Sequence, residues 1–282
     1  MEVTPAVAPI RVSVLCVTRN QDENLRRCLS ALSLSTLAKE SEIIVVDLAS
    51  TDQTSLVVEG HATVSHLRLP KNFGWTKAAN IGLRSTQGES ILFLDPRVEL
   101  AAGAVELLAN AVEENGEIAA AVPTLRDPWG GPSSYLRSLP SPQNLRPELH
   151  PPAEPTRSEP VEYPGSFALL IRKSFLKGMN FLDQRYGELW SDAEIAAQVK
   201  SAGRRILRTA EAEGVLHPEQ PKGLDPGLLE SDWHSGAAVY LKKHHGGGLG
   251  HSVGATFSSL FSGKLGLTRR ILSGDKFDGT QE

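Results

Sequence analysis

The chain has 282 residues, 40% of them hydrophobic and 22% charged, which excludes a fibrous, coiled-coil or wholly disordered protein. The formal net charge of −4 leaves no global basic field to hold nucleic acid, and no nucleic-acid partner is expected. Cys16 and Cys28 are too few for a disulfide framework or a zinc site, so reduced thiols are expected. Neither a signal-peptide pattern nor an apolar run of about 18 residues occurs, which favours a cytoplasmic protein.

The first 122 residues alternate strand-like and helix-like patterns. Runs of β-branched and aliphatic residues predict strands at 10–17, 42–47, 63–69, 90–94 and 118–122. Apolar residues at helical spacing predict helices at 22–34, 73–85 and 100–114, with a further helix capped by Ser50 or Thr51. This alternation predicts an α/β fold in which a mostly parallel sheet carries helices on both faces.

Residues 123–164 break this pattern because they contain 11 of the chain's 18 prolines. Proline removes an amide donor and restricts φ, so neither a helix nor a central strand is expected here. Two interpretations stay open: a linker between two domains, or a long loop that lies over a ligand cleft.

Periodic patterns return after the proline-rich segment. They predict strands at 166–172, 205–209 and 214–217 and helices at 190–202 and 228–245. A last amphipathic helix has an apolar face formed by Phe257, Leu260, Phe261, Leu265 and Leu272. It also carries Lys264, Arg269 and Arg270, so it either packs on the sheet or a second subunit, or rests on a membrane surface.

Polar turns follow three of the predicted strands. They are 18–20, 47–52 and 95–97. Because ligands of open α/β sheets bind outside the carboxyl ends of the strands, we expect the functional site at this edge. Asp52 suits a helix cap, whereas Asp47, at the end of its strand, suits a functional role. No dinucleotide or Walker A motif occurs, and residues 18–22 lack the glycine that a nucleotidyltransferase loop ordinarily carries.

Several short motifs follow one another in a characteristic order. They are VSVLCVTRN at 12–20, EIIVVDLASTDQT at 42–54, NFGW at 72–75, AANIG at 78–82, GE at 88–89, FLD at 93–95, GSF at 165–167, FLDQ at 181–184 and SDAEI at 191–195, with Gly203 and His217. Together, across residues 10–218, they resemble family-2 glycosyltransferases of the GT-A fold. The rhamnosyltransferase-like bacterial branch is the most similar.

The resemblance implies a GT-A-like, Rossmann-related fold and a hexosyltransferase. Such an enzyme moves a hexose, with inversion, from a nucleotide diphosphate sugar to a saccharide or lipid-linked acceptor. Inverting displacement needs a base for the acceptor hydroxyl, and the resemblance assigns this role to Asp192. A helix N-cap is the alternative role of Asp192.

The resemblance also assigns the donor site. Asp47 would contact the nucleotide base, with Thr18 and Asn20 shaping the same pocket, and Asp95 would face the diphosphate or its metal. The full predicted nucleotide-sugar-binding set is Thr18, Asn20, Asp47, Asn72, Gly74, Asn80, Asp95 and Arg97. The implied cofactor is a divalent metal, Mg²⁺ or Mn²⁺, held by Asp95 and His217 against the charge of the leaving group. His217 could instead contact phosphate or only close a strand.

The chain departs from the family pattern at the metal motif, where Arg97 replaces an aspartate. Three interpretations stay open. Arg97 itself supplies positive charge to the diphosphate; or catalysis is lost and the chain is a nucleotide- or partner-binding protein; or Arg97 points to solvent and Asp95 and His217 still bind metal. Ser191 and Glu194 also differ from the glutamate and aspartate that usually flank the base.

With the resemblance, the chain divides into five parts. They are a tail at 1–9, a nucleotide-sugar-binding α/β half at 10–122, a proline-rich loop at 123–164, an acceptor-side half at 165–218 and a helical extension at 219–282. The expected partners are the sugar-nucleotide donor and the acceptor, while homodimer formation and peripheral contact with the inner membrane face are left open. His244 and His245 are explained by a helix C-terminus, which attracts cationic side chains.

Overall fold

The computed structural model describes residues 9–152, 157–219, 222–247 and 265–280. The strands are β1 (Val12–Thr18), β2 (Ser41–Leu48), β3 (Val64–Leu69), β4 (Ser90–Leu94), β5 (Val98–Leu100), β6 (Ile118–Arg126), β7 (Glu159–Val161), β8 (Ala168–Arg172) and β9 (Arg205–Leu216). The helices are α1 (Asp22–Ser33), α2 (Thr54–Glu59), α3 (Trp75–Leu83), α4 (Ala104–Glu114), α5 (Lys173–Gly178), α6 (Ser191–Ser201), α7 (Pro226–His245) and α8 (Leu265–Ser273). A 3₁₀ turn at Ala38–Glu40 precedes β2.

The nine strands of the described part form one sheet in the order β3-β2-β1-β4-β8-β6-β9-β5, with β7 paired to β9. The α/β class is confirmed, but the sheet is mixed rather than mostly parallel. Strands β1 to β4 are mutually parallel, whereas β8 runs antiparallel to both of its neighbours, β4 and β6. Residues from 10–122 and from 165–218 therefore share one sheet.

The core lies on both faces of this sheet. Successive side chains of a strand point to opposite faces, and all of β1 is buried, as expected of a central strand covered on both sides. Val14 and Cys16 pack with α1, and α4 lies in the same layer. Leu15 and Val17 pack in the other layer, with residues of α3, α6 and α7. Cys16 and Cys28 are both free thiols, and both are buried.

The proline-rich segment differs from its prediction in one respect. Pro123 lies within the central strand β6, where no strand was expected. The register between β6 and β9 shifts between Pro123 and Thr124, and such an irregularity accommodates a residue that cannot donate to the ladder. Pro160 lies in β7, which pairs with β9 alone.

Three further boundaries differ from the sequence predictions. Residues 98–100 form β5 because they pair with the end of β9, so α4 begins at Ala104 and not at residue 100. The two short strands expected at 205–209 and 214–217 are one continuous strand, β9. The two parts of β9 pair with β6 on either side of the register shift.

The C-terminal part of the chain packs beside the sheet. Asp225 caps α7 by accepting a hydrogen bond from Leu228, and it also pairs with Arg270 of α8 at 2.5 Å. Leu265 and Leu272 are exposed. Of the residues predicted for the last helix, Phe257, Leu260, Phe261 and Lys264 lie outside the described residues, as do residues 1–8 of the tail. Within the described ranges, no helix combines the length and apolar character needed to cross a bilayer.

Candidate active site

A cleft of about 290 Å³ opens at the carboxyl ends of β1 and β4. It lies where the polar turns of the sequence predicted a site. Among the described residues, six ionisable side chains line it: Arg19, Asp95, Arg97, Arg137, Glu188 and Asp192. Of the predicted site residues, Thr18, Asn72, Asp95, Arg97 and Asp192 line this cleft, whereas Asn20, Asp47, Gly74, Asn80 and His217 do not.

Asp95 and Arg97 form a bidentate pair at the end of β4. The Arg97 side chain donates from Nε to Oδ1 at 2.9 Å and from Nη2 to Oδ2 at 2.8 Å, and its backbone N–H also donates to Oδ1. The Arg97 side chain is only 11% exposed and lies over the ring of Phe167. Burial would lower the pKa of Arg97, but the hydrogen bonds and charge of Asp95 outweigh this effect and raise it. Arg97 therefore points into the cleft and not to solvent.

Asn20 joins two of the polar turns. Its φ of 50° is left-handed, a conformation that asparagine tolerates better than most residues. Its backbone N–H donates to Ser50 Oγ at 3.0 Å, and its Oδ1 accepts from the backbone N–H of Thr51 at 2.8 Å. Asn20 thereby fixes the turn after β1 against the turn after β2, and a contact with the donor stays a prediction.

Asp47 lies at the end of β2, and its side chain is fully buried. Its Oδ1 accepts the backbone N–H of Ser50 at 2.8 Å. Its Oδ2 lies 3.7 Å from His66 Nε2 and 3.8 Å from Arg68 Nε. These contacts hold the turn after β2, and the role of Asp47 with the nucleotide base stays a prediction.

The NFGW and AANIG motifs shape α3 and its entry. Asn72 accepts the backbone N–H of Gly74 at 2.9 Å, and Gly74 has a φ of 76° at the helix start. A Cβ at Gly74 would come within 2.6 Å of the carbonyl oxygen of Phe277, so glycine is required there on two counts. The Asn80 amide bonds both backbone groups of Leu182, at 2.8 and 3.1 Å. The structure thus gives Asn80 a role in holding the chain at Leu182, outside the cleft.

Asp192 lies in the first turn of α6 and faces the cleft. Its side chain is 19% exposed, and its Oδ2 lies 3.5 Å from Nη2 of Arg137, which the proline-rich segment contributes. Arg137 also stacks on Tyr163, whose pKa is raised well above its usual value by burial and by the negative charge of Asp192. A carboxylate and a guanidinium therefore share this side of the cleft.

Several contacts fix the start of α6. Ser191 Oγ lies 2.6 Å from Thr76 Oγ1, which joins α6 to α3. Trp190 has a left-handed φ of 80° and packs against Trp233 and Tyr240 of α7. A left-handed backbone at a tryptophan is strained and persists only where the surrounding packing imposes it. Packing against α7 therefore holds Trp190 in the conformation that leads the chain into α6.

Glu194 anchors the first turn of α6 to α7. Its carboxylate binds Lys243 at 2.6 Å, His244 at 2.7 Å and the hydroxyl of Tyr186 at 2.9 Å. His244 thus makes a side-chain hydrogen bond between α6 and α7. Burial would raise the pKa of Glu194, but the hydrogen bonds from Lys243 and His244 lower it.

Replacing Gly236 with alanine should destabilise the protein by about 1–3 kcal/mol and lower turnover. Alanine normally favours a helix interior by about 1 kcal/mol over glycine, but a Cβ here would overlap the Trp190 ring and displace the residue that precedes α6. Gly266→Ala in α8 is the matched control, because nothing lies within 4 Å of its Cβ position. Thermal unfolding compares the two variants, and equal stability would contradict the predicted steric clash.

Both predicted metal ligands, Asp95 and His217, are bound by other side chains. His217 Nε2 lies 3.2 Å from Glu99 Oε2, and its backbone N–H donates to the carbonyl of Arg97. Both carboxylate oxygens of Asp95 are bound to Arg97. Across the described ranges, no group of three or more histidine, cysteine, aspartate or glutamate side chains is placed to hold a metal ion. The residues present therefore do not fit the metal site that the sequence predicted.

Glu188, which was not among the predicted site residues, lines the cleft from the loop before α6. Its Oε2 accepts the backbone N–H of Trp75 at 2.9 Å. Burial and the negative charge of nearby Asp232 raise the pKa of Glu188 to about 7. The sequence did offer a signal for Glu188, since it lies four residues before Asp192 within the acceptor-side motif. The residues that Glu188 contacts, however, are distant from it in sequence.

The raised pKa of Glu188 predicts a loss of stability as the pH rises. Between the ordinary glutamate value of 4.5 and about 7, the folded protein holds a proton that the unfolded chain has released. The unfolding free energy therefore falls over that interval and stays low above it. Glu188→Gln should remove this loss and be about 3 kcal/mol more stable than the parent at pH 8, with little difference at pH 4.5.

Denaturant unfolding at both pH values measures the effect of Glu188→Gln. Glu114→Gln, an exposed substitution at the end of α4, changes the same charge and should leave the pH dependence of stability unaltered. An identical pH dependence in Glu188→Gln and the parent protein would contradict the assignment.

The mixed sheet with helices on both faces is similar in fold to solved GT-A glycosyltransferases. GalNAc-T7 with UDP, GalNAc and Mn²⁺ superimposes with a TM-score of 0.65 at 17% identity, over 82% of this chain and 48% of that chain. S. aureus TarS 1–349 in complex with UDP-GlcNAc gives a TM-score of 0.61 at 17% identity, over 86% of this chain and 69% of that chain. The predicted GT-A-like fold is confirmed.

The family model described as glycosyl transferase family 2 matches residues 13–178, more than half of the chain. The chain belongs to this family, so the prediction of a glycosyltransferase is confirmed. The N-acetylglucosaminyl-diphospho-decaprenol L-rhamnosyltransferase of Mycobacterium tuberculosis is 26% identical over 263 residues, covering 83% of this chain and 85% of that protein. TarS, the poly(ribitol-phosphate) β-N-acetylglucosaminyltransferase of Staphylococcus aureus, is 32% identical over 91 residues, 30% of this chain and 16% of that protein.

Proposed function

We propose that this enzyme transfers a hexose from a nucleoside diphosphate sugar to a saccharide or lipid-linked acceptor, with inversion at the anomeric carbon. The observation that carries the proposal is the placement of Asp192 in the same cleft as the Asp95–Arg97 pair. A carboxylate thus lies in one cavity with a guanidinium, as a displacement reaction with a diphosphate leaving group requires.

Asp192 is the base in this proposal. It takes the proton of the acceptor hydroxyl as that oxygen attacks the anomeric carbon, and the bond from this carbon to the diphosphate oxygen breaks. Two features support the role: the carboxylate faces the cleft, and α6 is fixed by its contacts with Thr76 and Lys243. A held carboxylate keeps its position as the proton moves.

The donor lies across the turns after β1 and β4. Thr18, Asn72, Asp95 and Arg97 line the cleft directly, whereas Asn20 and Asp47 hold the turns that form its rim. The TarS structure with UDP-GlcNAc supports a uridine or related nucleotide, and the mycobacterial rhamnosyltransferase supports a polyprenyl-diphosphate-linked saccharide as acceptor. A lipid-linked acceptor would bring the enzyme to the inner membrane face, and homodimer formation stays a prediction.

Transfer assays with purified protein test this function. UDP- and dTDP-sugars are incubated with a polyprenyl-diphosphate-linked N-acetylglucosamine, and nucleoside diphosphate release and glycosylated product are measured. We expect turnover with at least one donor and, by NMR, a product of opposite anomeric configuration. A retained configuration would contradict inversion. Nucleotide binding without turnover for any donor would favour the alternative of a nucleotide- or partner-binding protein.

A further inference from the structure

The charge at the donor end of the cleft is carried by arginine side chains. Arg19 and Arg97 line the cavity beside Asp95. Arg137 also lines the cleft, where it pairs with Asp192. The cleft therefore has cationic groups at the position where a diphosphate needs them, and they belong to the protein itself.

The Asp95 carboxylate is already committed to Arg97. Both of its oxygens accept from the guanidinium, at 2.9 and 2.8 Å, and Oδ1 also accepts the Arg97 backbone N–H. Charge-assisted bidentate pairs of this kind are among the strongest hydrogen bonds in proteins. A divalent cation at Asp95 would have to break them and then lie beside a cation that does not deprotonate.

The second predicted ligand does not offset this cost. The His217 imidazole is directed to Glu99 at 3.2 Å, and His217 does not line the cleft. Within the described part of the chain, no other set of carboxylate, thiol and imidazole groups supplies the missing ligands. A metal ion at Asp95 would thus share its carboxylate ligand with Arg97.

A guanidinium can stabilise the negative charge of the diphosphate leaving group, which is the role that a metal ion otherwise has. It is planar, carries five N–H donors, and matches phosphate oxygens in a two-point geometry. Asp95 holds the Arg97 group along one edge and so fixes its orientation without removing its charge. The Phe167 ring beneath it, 5.3 Å away, restricts it further. Such a group is preorganised for charge that develops on a leaving group.

We propose that Arg97, oriented by Asp95 and assisted by Arg19, binds the donor diphosphate in place of a divalent metal. This inference rests on the proposed function, because it concerns the same donor. As the anomeric carbon–oxygen bond breaks, its electron pair stays on the diphosphate oxygen, and Arg97 offsets that charge without giving up a proton. Transfer by this enzyme therefore does not depend on Mg²⁺ or Mn²⁺.

Titration calorimetry with UDP and dTDP, in EDTA and in Mn²⁺, tests the proposal. We expect the wild-type protein to bind one of these nucleotides with affinities that agree within about twofold in the two conditions. Arg97→Gln should weaken binding at least tenfold in both conditions. Arg97→Asp, which places a second carboxylate beside Asp95, should bind poorly in EDTA and regain at least tenfold in Mn²⁺.

Two controls keep these outcomes interpretable. Arg84→Asp reverses an exposed charge just after α3, so it changes the net charge as much as Arg97→Asp does. This control variant should bind nucleotide as the wild type does. Circular dichroism and thermal unfolding show whether each variant is folded. Electron paramagnetic resonance gives a readout independent of affinity: wild-type protein should leave the spectrum of an Mn²⁺–UDP mixture unchanged, whereas Arg97→Asp should convert it to that of a protein-bound ion.

Wild-type binding that disappears in EDTA and returns with Mn²⁺ would overturn the inference and leave the proposed function standing. Wild-type-like affinity in folded Arg97→Gln would also overturn it. If the wild-type protein binds neither nucleotide in either condition, the proposed donor class is wrong and the inference falls with it.

Discussion

Replacing Asp192 with asparagine should lower turnover by about 10²–10⁴-fold while donor affinity changes by no more than about twofold. Asparagine has nearly the same shape but cannot accept the proton of the acceptor hydroxyl. The substitution also removes the charge that faces Arg137 at 3.5 Å. Because Asp95, and not Asp192, holds Arg97, this loss should affect the acceptor more than the donor. Steady-state kinetics and nucleotide calorimetry together separate the two effects.

Asp127→Asn is the matched control for Asp192→Asn. Asp127 accepts backbone N–H groups in the turn after β6, and an asparagine oxygen can accept them equally well, so activity should persist. If Asp192→Asn keeps more than about a tenth of the activity, Asp192 is not the base. Glu188 is then the next candidate for the base, because Asp95, the remaining carboxylate among the cleft residues, is bound by Arg97.

Replacing Asp232 with alanine should lower the unfolding free energy by about 2–4 kcal/mol and reduce activity. Asp232 lies in α7 with its side chain almost fully buried, and it accepts backbone N–H groups from Glu188 at 3.0 Å, Leu189 at 3.1 Å and Phe277 at 3.1 Å. It therefore fastens both the loop that lines the cleft and the C-terminal segment. Alanine would leave these donors without an acceptor.

Asp225→Ala provides the comparison for Asp232→Ala within the same helix. Asp225 is the N-cap of α7 and is exposed, so its loss should cost about 1 kcal/mol. Thermal and denaturant unfolding measure both variants. If Asp232→Ala costs no more than Asp225→Ala, the clamp that Asp232 forms does not stabilise the loop. Asp232→Asn, which keeps one acceptor oxygen, should fall between the two.

Local patterns in the sequence were sufficient for the strands that form the sheet centre. A strand such as 42–47 is a short apolar run, and burial of its side chains on both faces follows from composition alone. The order of short motifs across residues 10–218 then indicated the family, because each motif occupies a segment that the local chain can form. Asp95, Arg97 and Asp192 were found in this way, and all three line the cleft.

Placement of the other predicted residues depended on partners far along the chain. Asn80 meets Leu182 across 102 residues, and His217 meets Glu99 across 118. Glu188 meets the Trp75 amide across 113 residues, and its pKa depends on the charge of Asp232. No local pattern encodes such contacts. The insertion of β8 between β4 and β6 likewise arises only when the whole sheet assembles.

By itself, the sequence determined the α/β class, the family and the residue types at the strand ends, since these follow from periodicity and short motifs. It left three interpretations of Arg97 open. The side chain points toward the diphosphate, or it points toward solvent, or the chain has lost catalysis. Only the tertiary structure decided its direction, because the Asp95 carboxylate and the Phe167 ring hold the guanidinium in the cleft. Electrostatics between groups depends on distance in space, and the folded chain sets that distance.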